Sequence, residues 1–138
     1  MGKYIMFAAT QRNCGLIRAD SGEWLNTKYI VYSDGTCWTV STYDEDPYNR
    51  SILSGILSEQ ERCELNYPKS FLMKTEMFEE LKILLENEFD KTTAATGCDG
   101  VQWEMHHYAP GGRLLHSVFG FADGVFCLKR MTEILQEK

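Results

Sequence analysis

The chain has 138 residues, 43% of them hydrophobic and 25% charged, with a formal net charge of −6 and a sequence pI near 5.0. That length suits one domain, 1–138, which can bury about two-thirds of its unfolded surface without a metal or a disulfide. The acidic balance argues against nonspecific binding to nucleic acid or an anionic membrane, since both require clustered Lys and Arg. Residues 44–91 carry twelve acids and six bases, and the remainder carries eight of each. The acidic excess therefore belongs to the middle of the chain. It is either a solvated face or a docking surface for a basic partner.

Five cysteines stand at wide spacings: Cys14, Cys37, Cys63, Cys98 and Cys127. Their odd number and the lack of a C-x-x-C favour reduced thiols and a cytoplasmic setting. The apolar run Tyr4–Ala9 is too short for the hydrophobic region of a signal peptide. No stretch approaches the length of a membrane span.

In chain order, Tyr4–Thr10 reads as a first strand and Arg12-Asn13-Cys14-Gly15 as a turn. Leu16–Ala19 reads as a short second strand. Lys28–Tyr43 is the clearest hairpin, with Asp34-Gly35 between two β-rich runs, the pattern of a two-residue type I′ turn. Pairing Ser33 with Thr36 predicts Tyr29, Val31, Trp38 and Val40 on one face. Ile30, Tyr32, Cys37 and Tyr43 then fall on the other. Asp44-Glu45-Asp46-Pro47-Tyr48-Asn49 is a loop, and its acidic trio does not fit a calcium-binding pattern. Ser58 and Glu61 form a capping box that starts a short helix ending before Pro68.

A longer helix is expected from Thr75 to about Asp90, with Met77, Phe78, Leu81, Leu84, Leu85 and Phe89 as its apolar stripe. A last helix is expected from Gly124 to about Gln136, with Val125, Leu128, Met131, Ile134 and Leu135 buried. Lys129 and Arg130 fall on its outer face. The fold expected is α+β: an antiparallel sheet built from the N-terminal strands and two β-hairpins, with about three helices on one face.

The stretch Gly97–Phe121 holds all three histidines and reads as the second hairpin, turning at Ala109-Pro110-Gly111-Gly112. Pairing Tyr108 with Arg113 places Val101, Trp103, Met105, His107, Leu114, His116 and Val118 on the core face. His107 and His116 become diagonal neighbours there. They are the candidates for acid–base work or for a metal, with Cys127 as a further ligand. Cys98, in a Gly/Asp loop, is the candidate nucleophile. Two histidines at the rim of a core explain the same residues without chemistry. His106, Glu104 and Arg113 read as a polar network on the opposite face.

Phosphate loops, nucleophile elbows and H-E-x-x-H are absent from the sequence. The function expected is a non-catalytic protein-interaction or inhibitory module of the immunity or adaptor kind, with no cofactor. Its partner would be another protein, and the chain itself a monomer or homodimer. Trp24, Tyr48, Glu79 and Glu86 are the interaction candidates, as aromatics and helix acids suited to an exposed surface. A small histidine- or metal-dependent enzyme and a small-ligand-binding domain are the alternatives.

Overall fold

The structure, a computed structural model, describes residues 3–13, 26–42, 68–93, 101–122 and 125–136. Six strands form one antiparallel sheet: β1 Ile5–Asn13, β2 Asn26–Tyr32, β3 Thr36–Thr42, β4 Lys69–Leu72, β5 Val101–Tyr108 and β6 Leu114–Gly120. Their spatial order is β4-β3-β2-β1-β5-β6. Two helices accompany them, α1 Thr75–Asn87 and α2 Phe126–Gln136. The α+β class stands, but the expectation of about three helices on one face is corrected. Among the described residues there are two, and α1 bends at Glu88 into a 3₁₀ turn at Phe89–Lys91. The short helix expected after Ser58 and the strand at Leu16–Ala19 lie outside the described residues. β1 also runs on through Arg12 and Asn13, where a turn was expected.

Strand register sorts the side chains into two faces, because successive residues alternate. The inner face carries a row across all six strands: Phe71, Cys37, Val31, Phe7, His107 and His116. A second inner row runs Thr39, Tyr29, Ala9, Met105 and Val118. These join Leu81, Leu84 and Leu85 of α1 and Leu128, Met131, Ile134 and Leu135 of α2 in one core. Phe7, Phe89, Leu81 and Met131 are fully buried. Each such side chain contributes about 1.5–3 kcal/mol relative to exposure.

The helices are tied to each other by a fork. Nη2 of Arg130 donates to Oε1 of Glu80 at 2.8 Å, and Nε donates to Oε2. Nη1 also donates to Glu133 at 3.3 Å. Arg130 therefore bridges α2 to α1 instead of facing solvent. The bidentate geometry suits a planar guanidinium. It holds the Glu80 carboxyl below the usual carboxylate range.

Both hairpins differ in register from the expectation. Val31 pairs with Cys37, and the amide of Gly35 donates to the carbonyl of Tyr32 at 3.0 Å. The connection is thus the three residues Ser33, Asp34 and Gly35, not two. Only Gly35 has a positive φ, 91°. A three-residue loop that ends in a left-handed glycine replaces the type I′ turn, which needs positive φ at both central residues. Asp34 accepts from the Thr36 amide at 2.9 Å, which fixes the loop and lowers the Asp34 carboxyl. The slip moves Cys37 to the core and Trp38 to the opposite face.

In the second hairpin Tyr108 pairs with Leu114 and His107 with His116, with a bulge between. The turn makes the type II bond expected, Gly112 amide to Ala109 carbonyl at 3.0 Å. Gly111 and Gly112 both have φ of 95°, so the loop is one residue longer than a plain turn. Trp103, Met105, His107 and Val118 remain on the core side as expected, while Leu114 is 51% exposed.

Candidate functional site

The two core-face histidines are direct cross-strand neighbours, not diagonal ones. The 3₁₀ turn after α1 lies against them. Phe89 meets His107 edge-on with ring centroids 6.2 Å apart, His116 at 5.3 Å and Phe7 at 5.6 Å. One ring nitrogen of each imidazole is directed into the same turn. His107 Nδ1 lies 2.9 Å from Oδ1 of Asp90. His116 Nε2 lies 2.8 Å from the carbonyl oxygen of Thr92. A carbonyl can only accept, so His116 carries its hydrogen on Nε2, and a carboxylate partner likewise places one on Nδ1 of His107.

Thr92 extends the arrangement. Its hydroxyl donates to the Glu88 carbonyl at 2.7 Å and therefore accepts from the Cys127 thiol, at 3.4 Å. One turn of four residues thus gathers His107, His116 and Cys127 from three elements. It does so by giving each a separate hydrogen-bond partner. His107 and Cys127 are buried, and His116 is partly so. Among the described residues no group of three or more His, Cys, Asp or Glu side chains converges to hold a metal ion. Cys98 lies outside the described residues.

An oriented carboxylate–imidazole pair is the arrangement of a general base, and that is what Asp90 and His107 could do chemically. Its geometry also serves as a strut: the ring is closed in by Phe89, and the bond anchors the turn to β5. Sequence reasoning missed Asp90, which stands seventeen positions from His107. The only local signal was its place at the end of a helix that must return to the sheet.

Thiol chemistry at Cys37 is disfavoured. It is fully buried, and burial pushes the thiol up to about 12. A thiol in that state is protonated at neutral pH and a poor nucleophile.

The opposite, outer face of the sheet is of another character. Its central row is Ser70, Trp38, Ile30, Ala8, His106 and Ser117. Towards β5 and β6 it is polar: His106 Nδ1 lies 2.7 Å from Ser117 Oγ, and Nε2 lies 3.3 Å from Glu104. Of the polar network expected from His106, Glu104 and Arg113, the His106–Glu104 pair is present, and Ser117 joins it where Arg113 was expected. Towards β4 it is apolar. Ile5 pairs with Tyr32 across β1 and β2, and Leu72 pairs with Thr36 across β3 and β4. Ile5 is 39% exposed and Leu72 75%. Lys3 lies over the Tyr32 ring at 4.4 Å, which leaves the apolar patch with a cationic margin. Among the described residues no helix packs on this face; the apolar stripes of α1 and α2 both join the inner core.

Of the interaction candidates, Glu79 and Glu86 are exposed on α1, and Glu79 pairs with Lys82 at 3.1 Å. Trp24 and Tyr48 lie outside the described residues. No described helix is long and apolar enough to cross a membrane. Comparison with family models, curated proteins and solved structures finds no match to this chain.

Proposed function

We propose that the chain is a non-catalytic protein-interaction module that receives another protein on the outer face of its sheet. The observation that carries this reading is the apolar half of that face. Leu72, Tyr32, Ile5, Trp38 and Ile30 share it, no described element packs over it, and Leu72 and Ile5 are openly exposed. Apolar groups gathered on one side of a sheet are the usual material of a protein contact, with aromatic side chains as its anchors. The acidic surface of α1, with Glu79 and Glu86, is the competing docking surface.

The test is affinity capture with the whole chain as bait. A Leu72→Asp, Ile5→Asp double variant is compared with a Glu79→Lys, Glu86→Lys double variant. The expected result is a protein retained by the wild type and by the α1 variant but lost by the sheet variant. Equal retention by the sheet variant overturns the reading. All four side chains are exposed or nearly so, so the fold tolerates the changes.

One observation favours a second reading, a small histidine-dependent enzyme: the 2.9 Å pairing of Asp90 with His107. Removal of the carboxylate by Asp90→Asn separates the two, since it alters a general base and leaves the outer face untouched.

A further inference from the structure

The outer face holds a line of polar groups separate from the inner-face histidines. Glu104 and His106 stand on β5, and Ser117 lies directly across from His106 on β6. Their order is carboxylate, imidazole, hydroxyl. Oε1 of Glu104 lies 3.3 Å from Nε2 of His106, and Nδ1 lies 2.7 Å from Oγ of Ser117. An ionised carboxylate can only accept, so it sets the imidazole hydrogen on Nε2. In the neutral ring Nδ1 then carries a bare lone pair, and the Ser117 hydroxyl donates to it. A serine hydroxyl is a weak nucleophile until an adjacent base takes its hydrogen, and that base works best when a third group orients it.

The surroundings hold the ring and leave the hydroxyl within reach of solution. His106 meets Phe119 edge-on at 5.7 Å and lies against Tyr108 at 6.3 Å. Its cross-strand neighbours are Ala8 of β1 and Ser117 of β6, and Glu104 and Tyr108 flank it along its own strand. The side chains of His106 and Glu104 are 23% and 29% exposed, so water loosens their pairing only in part. Among the described residues no helix packs on this face, and β6 is the last strand of the sheet. Phe119, 58% exposed and two positions from Ser117 on the same face, offers an apolar surface beside the hydroxyl.

We infer that Ser117 is a covalent acyl-acceptor site, modified by activated esters of apolar acids. Oγ forms a bond to the ester carbonyl carbon while Nδ1 of His106 takes the hydroxyl hydrogen. The bond from that carbon to the leaving oxygen breaks, and the leaving group departs with the proton from His106. The imidazole ends neutral, and Ser117 ends as an ester. His106 is the base in this step, and Glu104 is a positioning residue that fixes the tautomer. The product is a stoichiometrically acylated chain, so no turnover is required of it. The inference goes beyond the docking reading and does not rest on it, since neither Leu72 nor Ile5 takes part.

The test treats the purified whole chain with 4-nitrophenyl acetate. Nitrophenolate release is followed, and the quenched protein is mapped by peptide mass spectrometry. The expected result is an acetyl group on Ser117, with an initial release of one equivalent. Ser117→Ala should lose that acetyl group, and His106→Ala should slow its formation by about 100-fold, the low end of general-base assistance. Glu104→Gln places an amide beside Nε2 that can donate to it and so favours the wrong tautomer. It should slow acylation, and Glu104→Asp should restore part of the rate. The wild-type rate should rise with pH to a plateau, because a doubly protonated imidazole cannot accept, and His106→Ala should lose the plateau. A purely structural role for His106 would leave no such signature. Circular dichroism checks that the variants fold. A wild type without acetyl on Ser117 overturns the proposal, as does labelling of Ser117 at an equal rate in His106→Ala, or an initial release that Ser117→Ala leaves unchanged.

Discussion

Glu80 and Arg130 join the two helices through a fork of two hydrogen bonds, and the carboxyl of Glu80 is held below its usual range mainly by the bond from Arg130. The folded chain therefore binds fewer protons at this site than the unfolded chain. The stabilisation is complete above the ordinary carboxylate pKa and is lost as pH falls through the lowered one. Glu80→Gln should flatten the acid limb of the stability–pH profile and cost less than about 1 kcal/mol at neutral pH, because the pair is partly exposed. Urea unfolding from neutral to acid pH measures this. An acid limb as steep as that of the wild type would assign the slope to other groups. None of this was legible in the sequence. The two partners stand fifty positions apart, and helical periodicity alone turned Arg130 to solvent. The core histidine was legible, because strand alternation placed His107 inward. Its partner Asp90 was not, because only the bend after α1 brings it there.

Gly35 decides the geometry of the first hairpin. Its φ of 91° is left-handed, and an added Cβ would lie 3.5 Å from the Phe78 ring and 3.7 Å from Leu72. Space is adequate, so the cost of a side chain is conformational. Gly35→Ala should destabilise by about 1–2 kcal/mol, read as a lower urea midpoint with unchanged slope. An unaltered midpoint would show that the turn relaxes to accommodate it. The existence of this hairpin was plain from Asp34-Gly35 between two β-rich runs. Its register was not, because a two-residue and a three-residue loop both end in glycine. That one-residue difference exchanged Cys37 and Trp38 between core and outer face. β4 escaped notice for a different reason: four residues with Lys69 and Ser70 are too short and polar to show alternation. α1 was read from its stripe, which continues to Phe89. The helix itself stops at Asn87, and Phe89 reaches the core from the 3₁₀ turn instead.

At the scale of the molecule, one sheet face is filled by two helices and the other carries an apolar half without a described element above it. Length called for a single domain, and the α+β class followed from clustered strands and segregated helices. The apolar half of the exposed face could not be read beforehand, since it depends on the register of the first hairpin, which brings Trp38 onto it, and on the pairing of β1 and β4. The histidine cluster is packed into the fold by Phe89, Asp90 and Thr92, and His107, His116 and Cys127 each have a hydrogen-bond partner within the turn. The central claim is that contact, not chemistry at His107, carries the function. The most direct measurement is the dissociation constant of the captured protein for three forms of the chain: wild type, the Leu72→Asp, Ile5→Asp variant, and Asp90→Asn. The account predicts binding weakened by roughly 30-fold or more in the sheet variant, the scale of a buried anchor lost from an interface, and unchanged in Asp90→Asn. Unchanged binding in the sheet variant with a loss in Asp90→Asn would contradict it and place the function at the histidine cluster.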